Sequence, residues 1–324
     1  MAHHLTLRGS APYLDKGQKL GTKEIDYIML NLPFKCNYNC IKCCNRRRKY
    51  KAGHLELSKI KSYILKCKNL GARVVVIAGE GEPTINKNFR ELVKFINKIE
   101  LIPYIFTNGS MLNQELGLFL AENNATLVIN LDTLKEDEYD SLVDKKGSFK
   151  NLMENIEVIR RVYGKKIYTF DGCRITFLAI NLVLNNENYD QVNKIKEFCG
   201  KDILFVVNKP INIGSASESW NKYDKTSDIV INAGASYPLG TLAEGDQCAY
   251  MRNGISIGSD GKVLTCAYAL ETQDLYGDVD NDIESMRKKV LKSVDNFYKK
   301  YGTSRCILRH PKYHEFINFN KAMK

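Results

Sequence analysis

Apolar and polar residues follow two rhythms along this chain, and the rhythm switches at short intervals. Compact apolar runs, of the kind that form strands covered on both faces, occur at Tyr27–Leu32, Arg73–Ala78, Leu101–Phe106, Thr126–Leu131, Arg174–Leu184 and Ile203–Val207. Between them the spacing opens to that of helices with one apolar face, at Ser58–Leu70, Phe89–Ile99, Gln114–Glu122, Phe149–Tyr163 and Tyr189–Cys199. Ser58 is expected to cap the first helix, with Ile60, Ile64 and Leu65 on its inward side. Strand–helix alternation with short connections predicts a parallel sheet. A parallel return needs a crossover, and the crossover helix buries its apolar stripe on the sheet. About six such units are enough for a partial or a complete α/β barrel.

The rhythm changes after Pro210. Ile211–Gly245 is rich in Gly, Ser and Ala, has no clear period, and is read as a bridge. A smaller α+β unit is expected beyond it. Its parts are a hairpin of Gly254–Ile257 against Lys262–Thr265 turned by Ser259-Asp260-Gly261, a helix from Ile283 to near Val294, and a polar tail containing Cys306. The domain plan is an N-terminal extension (1–23), an α/β core (24–210), the bridge (211–245) and a C-terminal unit (246–324).

A chain of 324 residues can bury a core without disulfide support. Its net charge of +11 permits an anionic partner such as a phosphorylated substrate or RNA. The lysines are spread along the chain, however. The one dense clump, Arg46, Arg47, Arg48, Lys49 and Lys51, reads as a solvated loop. No run approaches the ~20 apolar residues of a membrane span, and the first residues lack the apolar stretch of a secretory signal. A cytoplasmic location and no membrane partner are therefore expected. Thiols stay reduced there, so the ten cysteines should be metal ligands or buried small hydrophobes. Cys67 and Cys199, on apolar helix faces, belong to the second kind.

Spacing separates the two kinds. Cys36, Cys40 and Cys43 form a C-x3-C-x2-C loop just after the first strand. Three thiolates this close can wrap one face of a cubane cluster, leaving one iron without a protein ligand and open to a substrate or cofactor. A zinc site would call for four ligands in paired form, and this loop is an odd triplet with no nearby His. Cys44 follows the triplet directly and is not counted among its ligands.

This loop resembles the signature of the radical S-adenosylmethionine (SAM) superfamily. The resemblance implies a partial (β/α)6-type radical SAM barrel, a 4Fe-4S cluster on Cys36, Cys40 and Cys43, and SAM chelated at the open iron. It further implies an external electron donor such as flavodoxin or ferredoxin. Reductive cleavage of SAM would give a 5′-deoxyadenosyl radical that takes a hydrogen atom from the substrate. The turn Gly79-Glu80-Gly81-Glu82-Pro83 after the second strand resembles the family's GGEP motif, which holds the SAM amino group, with Glu80 in place of its first glycine. Lys42 stands where the family often has an aromatic residue. On the same resemblance Tyr38, Thr107, Asn108, Asn130, Asp132 and Asn181 are candidates for contact with SAM. Each also reads as a strand-end or turn residue serving the backbone. No catalytic side chain is singled out.

In the C-terminal unit, Cys248 and Cys266 flank the hairpin, Gly277-Asp278 and a helix follow, and Cys306 lies beyond. That order resembles the SPASM/Twitch extension and its shorter Twitch form. It implies a second, auxiliary cluster on Cys248, Cys266 and Cys306. Arg309 stands where a fourth cysteine is often found. Candidates for the fourth ligand are His310, a barrel cysteine such as Cys173, and the substrate. The functional expectation is hydrogen-atom abstraction from a small polar biosynthetic molecule. Alternatives are a peptide or RNA substrate for the same chemistry, and a non-catalytic zinc-binding nucleic-acid module.

Overall fold

The computed structural model describes residues 5–10, 25–46, 53–170, 172–185, 187–208, 211, 213–216, 242–243, 247–304 and 306–322. Most of the expected bridge and of the Arg46–Lys51 clump lies outside them, as do residues 1–4 and 11–23 of the N-terminal extension and residue 24.

Six parallel strands form the centre of the molecule: β2 (Tyr27–Leu30), β3 (Val74–Ile77), β4 (Ile102–Thr107), β5 (Thr126–Asn130), β8 (Leu178–Val183) and β9 (Leu204–Asn208). The helices crossing between them are α1 (Leu57–Asn69), α2 (Phe89–Lys98), α3 (Gln114–Glu122), α4 (Glu136–Val143) with α5 (Ser148–Tyr163), and α6 (Gln191–Cys199). The strands are buried on both faces, and parity along each decides which core it feeds. Ile28, Val75, Ile105, Leu127 and Ile180 pack towards the helices. Tyr27, Met29, Val74, Val76, Tyr104, Val128 and Ala179 pack into the inner core. Each such aliphatic side chain contributes about 1.5–3 kcal/mol on burial. The expected α/β sheet of a partial barrel is therefore what forms. The inner core is plugged by Leu7 of β1 (Leu5–Leu7) and by Ala249 and Tyr250 of a short α7 (Ala249–Arg252).

The expected strand Arg174–Leu184 is broken. β7 (Cys173–Thr176) pairs antiparallel with β6 (Ile167–Phe170) and parallel with β1, in a separate three-stranded sheet. The chain enters the central sheet only at Leu178. Thr176 Oγ1, bound to Asp202 O at 2.8 Å and to Leu178 N at 3.3 Å, marks the corner. The helix α1 starts one residue earlier than expected. Its N-cap is Glu56, which makes no side-chain cap, so Ser58 lies inside the helix. Helix α4 was not foreseen, although Glu136, Asp137 and Glu138 in its first turn are a start signal.

The C-terminal hairpin, β12 (Gly254–Ile257) and β13 (Val263–Leu264), adds to the edge of the central sheet, with β12 parallel to β2. The sheet order is β13-β12-β2-β3-β4-β5-β8-β9. Its turn closes as expected, with Gly261 at φ +82 and Gly261 N bound to Gly258 O at 3.0 Å. β10 (Leu242–Ala243) and β11 (Gln247–Cys248) form a two-stranded ribbon. Helix α8 spans Ile283–Tyr301, longer than expected, and the polar tail ends in a helix, α9 (Tyr313–Ala322). These helices enclose a third core around Val294, Phe297, Leu308 and Phe316.

Candidate active site

Ligands in open parallel sheets sit beyond the carboxyl ends of the strands. At that end the structure gathers the cysteine loop, the Gly79–Pro83 turn and the ends of β4, β5, β8 and β9.

The loop from Lys35 to Arg46 is held by its neighbours at many points. Asn39 N and Ile41 N donate to Val143 O and Leu142 O at 3.1 and 3.0 Å, so the end of α4 carries the loop's centre. Asn39 Nδ2 reaches Asp144 at 2.6 Å. Asn37 joins the turn after β4. It donates to Ser110 Oγ at 2.7 Å and accepts from Asn108 Nδ2 at 3.0 Å. Lys42, at the position before Cys43, pairs with Glu187.

Within this loop Cys36 is exposed, while Cys40 and Cys43 are half-buried. The three thiols lie within electrostatic reach of one another. Burial foremost, then the neighbouring thiols, pushes the Cys40 thiol up. Burial and Glu82 do the same to Cys36 against opposing backbone donors. Asn45 N points at Cys43 Sγ at 3.4 Å. Among the described residues no group of three His, Cys, Asp or Glu side chains is gathered as for a single metal ion. A three-thiol set of this kind fits the corners of a four-iron cluster, whose ligands stand on different irons.

The Gly79–Pro83 turn meets the loop backbone to backbone. A Cβ at Gly81 would lie 2.3 Å from Lys35 O, so only glycine permits the approach. Glu82 N then donates to Lys35 O at 2.9 Å. Gly79, at φ +107, is packed against Asn31, and its carbonyl accepts from Asn45 Nδ2.

The two carboxylates of this turn are occupied inside the protein. Glu82 accepts from Thr84 N, Thr84 Oγ1, Thr107 Oγ1 and Asn108 N at 3.1, 2.6, 2.7 and 2.7 Å. It ties the turn to the end of β4. Glu80 accepts from Ser259 N and Oγ at 3.1 and 2.7 Å, tying the same turn to the C-terminal hairpin. Burial raises both carboxyls, and these donors work against it. Both carboxylates thus act as fasteners for the turn, and a small cleft adjoins it between Leu32–Pro33 and Gly81–Pro83.

Along the inner face, Asn130, Asn181 and Asn208 join in one row. Asn181 Nδ2 donates to Asn130 Oδ1 at 2.9 Å, and Asn208 Nδ2 donates to Asn181 Oδ1 at 2.5 Å. The strand register sets Asn130 beside Asn181. Asn208 was missed from sequence; the signal was an Asn ending an apolar strand. Asp132 accepts from Val183 N at 2.7 Å, and burial pushes it up to about 6 despite Lys42. Tyr38 is buried in the helix-side core under Lys145 Nζ at 5.6 Å, so its ring is packing for the loop.

Cys248, Cys266 and Cys306 come together against the third core, mutually within electrostatic reach and with Arg309 beside Cys248 and Cys266. Burial pushes Cys248 up to about 11 and Cys266 up as well. Of the expected fourth ligands, Cys173 lies in the separate three-stranded sheet, opposite Phe170 on β6, and its neighbour Arg174 contacts Lys201 and Asp202 ahead of β9. His310 is buried against Phe297, with Nδ1 accepting from Lys312 N at 3.1 Å. Cys67 and Cys199 are buried core, as expected.

A sequence-family model described as "Radical SAM superfamily" matches residues 30–199. Among curated proteins, the chain is 30% identical over 154 residues to a cysteine-type anaerobic sulfatase-maturating enzyme of Clostridium novyi, covering 43% of this chain and 41% of that one. It is 33% identical over 141 residues to a GTP 3′,8-cyclase of Clostridium perfringens, covering 42% and 43%. These matches span about two fifths of the relatives' lengths. A GTP 3′,8-cyclase of Helicobacter pylori matches at 23% over 298 residues, 85% of this chain and 90% of that one. Among solved structures, Streptococcus suis SuiB bound to S-adenosylmethionine superposes with TM-score 0.58 at 17% identity, over 81% of this chain and 65% of that one. Native anSMEcpe with bound AdoMet gives 0.55 at 17% identity, over 91% and 83%. Both likenesses concern the fold. Among the described residues no helix is long and apolar enough to cross a membrane.

Proposed function

The chain belongs to the radical SAM superfamily, and from that premise we propose that it abstracts a hydrogen atom from a small polar biosynthetic substrate, with a Twitch-like auxiliary cluster assisting. The observation that carries the reading is the three-thiol loop fastened to the Gly79–Pro83 turn at the carboxyl end of a parallel sheet. Cys36, Cys40 and Cys43 would hold a 4Fe-4S cluster with one iron left for SAM. When bound, this pair supplies a 5′-deoxyadenosyl radical by one-electron cleavage of SAM, from an outside donor of the flavodoxin or ferredoxin kind.

The residues of the chain position and shield that chemistry. Glu82 locks the loop, the turn and the end of β4 into one unit, so the three thiols hold their spacing. The turn's backbone offers carbonyl acceptors for the SAM ammonium group. The Asn130–Asn181–Asn208 row presents amides along the inner face, suited to ribose hydroxyls or a carboxylate. The inner core behind them keeps water from the sheet interior. Cys248, Cys266 and Cys306 would hold the auxiliary cluster. Thiolate ligation of this kind suits a reducing compartment such as the cytoplasm.

A small substrate is supported by the long alignment with the Helicobacter pylori GTP 3′,8-cyclase. A peptide is the second reading, favoured by the likeness to the sulfatase-maturating enzyme and by a SuiB structure bound to the precursor peptide SuiA. The test is anaerobic 5′-deoxyadenosine formation by the reduced, reconstituted protein with panels of small polar molecules and of peptides. Stimulation by small molecules alone supports the first reading. Stimulation by peptides alone replaces it with the second.

A further inference from the structure

Cys44 stands outside the expected triplet, and its side chain has its own place in the fold. It packs against the third core, the same small core that Cys248, Cys266 and Cys306 pack against. Tyr268 packs on the same core and lies within electrostatic reach of Cys44, Cys266 and Cys306. A second contact holds Cys44 there. Ser215 N donates to both Cys43 O and Arg46 O at 3.0 Å. A Cβ at Gly214 would lie 2.4 Å from Cys44 O, so residues 213–216 clamp tightly onto the loop. Ile213, at the start of that clamp, is itself part of the third core. The backbone of residues 43–46 is thus pinned from one side. Asn45 N is directed at Cys43 Sγ, whereas the Cys44 side chain packs on the third core.

We propose that Cys44 supplies the fourth thiolate of the auxiliary cluster, completing the set Cys44, Cys248, Cys266 and Cys306. The proposal rests on the auxiliary-cluster reading and names the ligand that Arg309, standing where a cysteine is often found, does not provide. On ligation the Cys44 thiol releases its proton to solvent and forms one Fe–S bond, with no change of oxidation state. Two consecutive residues then bind two different clusters, and the Cys43–Cys44 peptide is the covalent link between them. A cluster with four protein thiolates has no iron left for substrate, so its role is electron transfer.

The test uses the full chain carrying C36A/C40A/C43A, which leaves only the auxiliary site, with and without C44A or C44S. Each protein is reconstituted anaerobically and oxidised mildly with ferricyanide. Iron per chain and the electron paramagnetic resonance signal of a three-iron cluster are then measured. The parent should keep about four irons, whereas the C44A variant should fall to about three and show the three-iron signal. C44S, nearly isosteric, guards against a folding defect and should also lose iron, with a circular dichroism spectrum like the parent's. The assignment is overturned if C44A and C44S retain iron as the parent does, or if the parent already loses its fourth iron. A parent that takes up no iron removes the auxiliary cluster itself, and the ligand assignment with it.

Discussion

Glu80 takes the place of a glycine in the family-like turn, and in the structure its carboxylate accepts from two donors of Ser259 across the sheet edge. Three substitutions separate the hydrogen bonds from the charge. E80A leaves a buried N–H and a buried hydroxyl without an acceptor, at about 1–3 kcal/mol each. It also removes a buried carboxylate whose ionisation burial disfavours. The net expectation is a loss of about 2 kcal/mol at pH 7.5. E80Q keeps a carbonyl for Ser259 N, and its amide can donate to the Ser259 hydroxyl or to Asn31 Oδ1, a buried oxygen with no hydrogen-bond partner among the described residues. It should therefore stay within about 1 kcal/mol of wild type. The double variant E80A/S259A should recover part of the loss, because the orphaned hydroxyl is gone. The pH dependence has a definite sign. A carboxyl raised on folding binds its proton more tightly in the native state. Its contribution is most favourable below the ordinary carboxylate range and is lost as pH rises through the raised value. The stability difference should shift in favour of E80Q as pH rises from about 5 to 8. Urea unfolding followed by circular dichroism on the reduced protein before reconstitution reads all of this. E80Q as damaging as E80A, with no recovery in the double variant, would refute the fastener role.

Other consequences follow from single contacts. G81A forces the turn and the cysteine loop apart, because its Cβ would sit 2.3 Å from Lys35 O; iron bound per chain after reconstitution should drop well below wild type, and unchanged iron content argues against the close approach. Asn181→Leu removes the middle of the amide row; SAM binding by equilibrium dialysis should weaken about fivefold or more, worth about 1 kcal/mol, and an unchanged dissociation constant removes the row from the SAM site. Leu127→Ala opens a cavity in the fully buried helix-side core and should cost about 2–5 kcal/mol in urea unfolding; a loss under about 1 kcal/mol contradicts that close packing.

The parts of the fold set by regular periodicity were legible in the sequence. The central runs are mostly apolar because both faces of the sheet are covered, and they emerged as strands. Cys36, Cys40 and Cys43 stood out by their spacing, and the structure sets them in one loop within electrostatic reach of one another. What the sequence hid was mostly tertiary. The break at Phe177 falls within one extended β-like stretch with no Gly or Pro to mark it, so nothing local shows that β7 leaves for another sheet. The pairing of β12 with β2 joins residues far apart in the chain through backbone hydrogen bonds, which carry no side-chain signature. The carboxylates of Glu80 and Glu82 sit in a turn expected to face a ligand, but their partners Ser259, Thr107 and Asn108 belong to other elements. Adjacency to Cys43 says nothing of the direction in which Cys44 points, so its place beside the third core is visible only in the fold.

The claim on which the account depends is that the N-terminal triplet holds a cluster with an iron free for SAM. On this account the full chain carrying C248A/C266A/C306A would retain that cluster alone. Its electron paramagnetic resonance spectrum, recorded after anaerobic reduction with and without SAM, tests the claim most directly. The account predicts about four irons per chain, a spectrum that changes when SAM is added, and 5′-deoxyadenosine on turnover. A reduced cluster whose spectrum is the same with and without SAM, and which releases no 5′-deoxyadenosine, would contradict it.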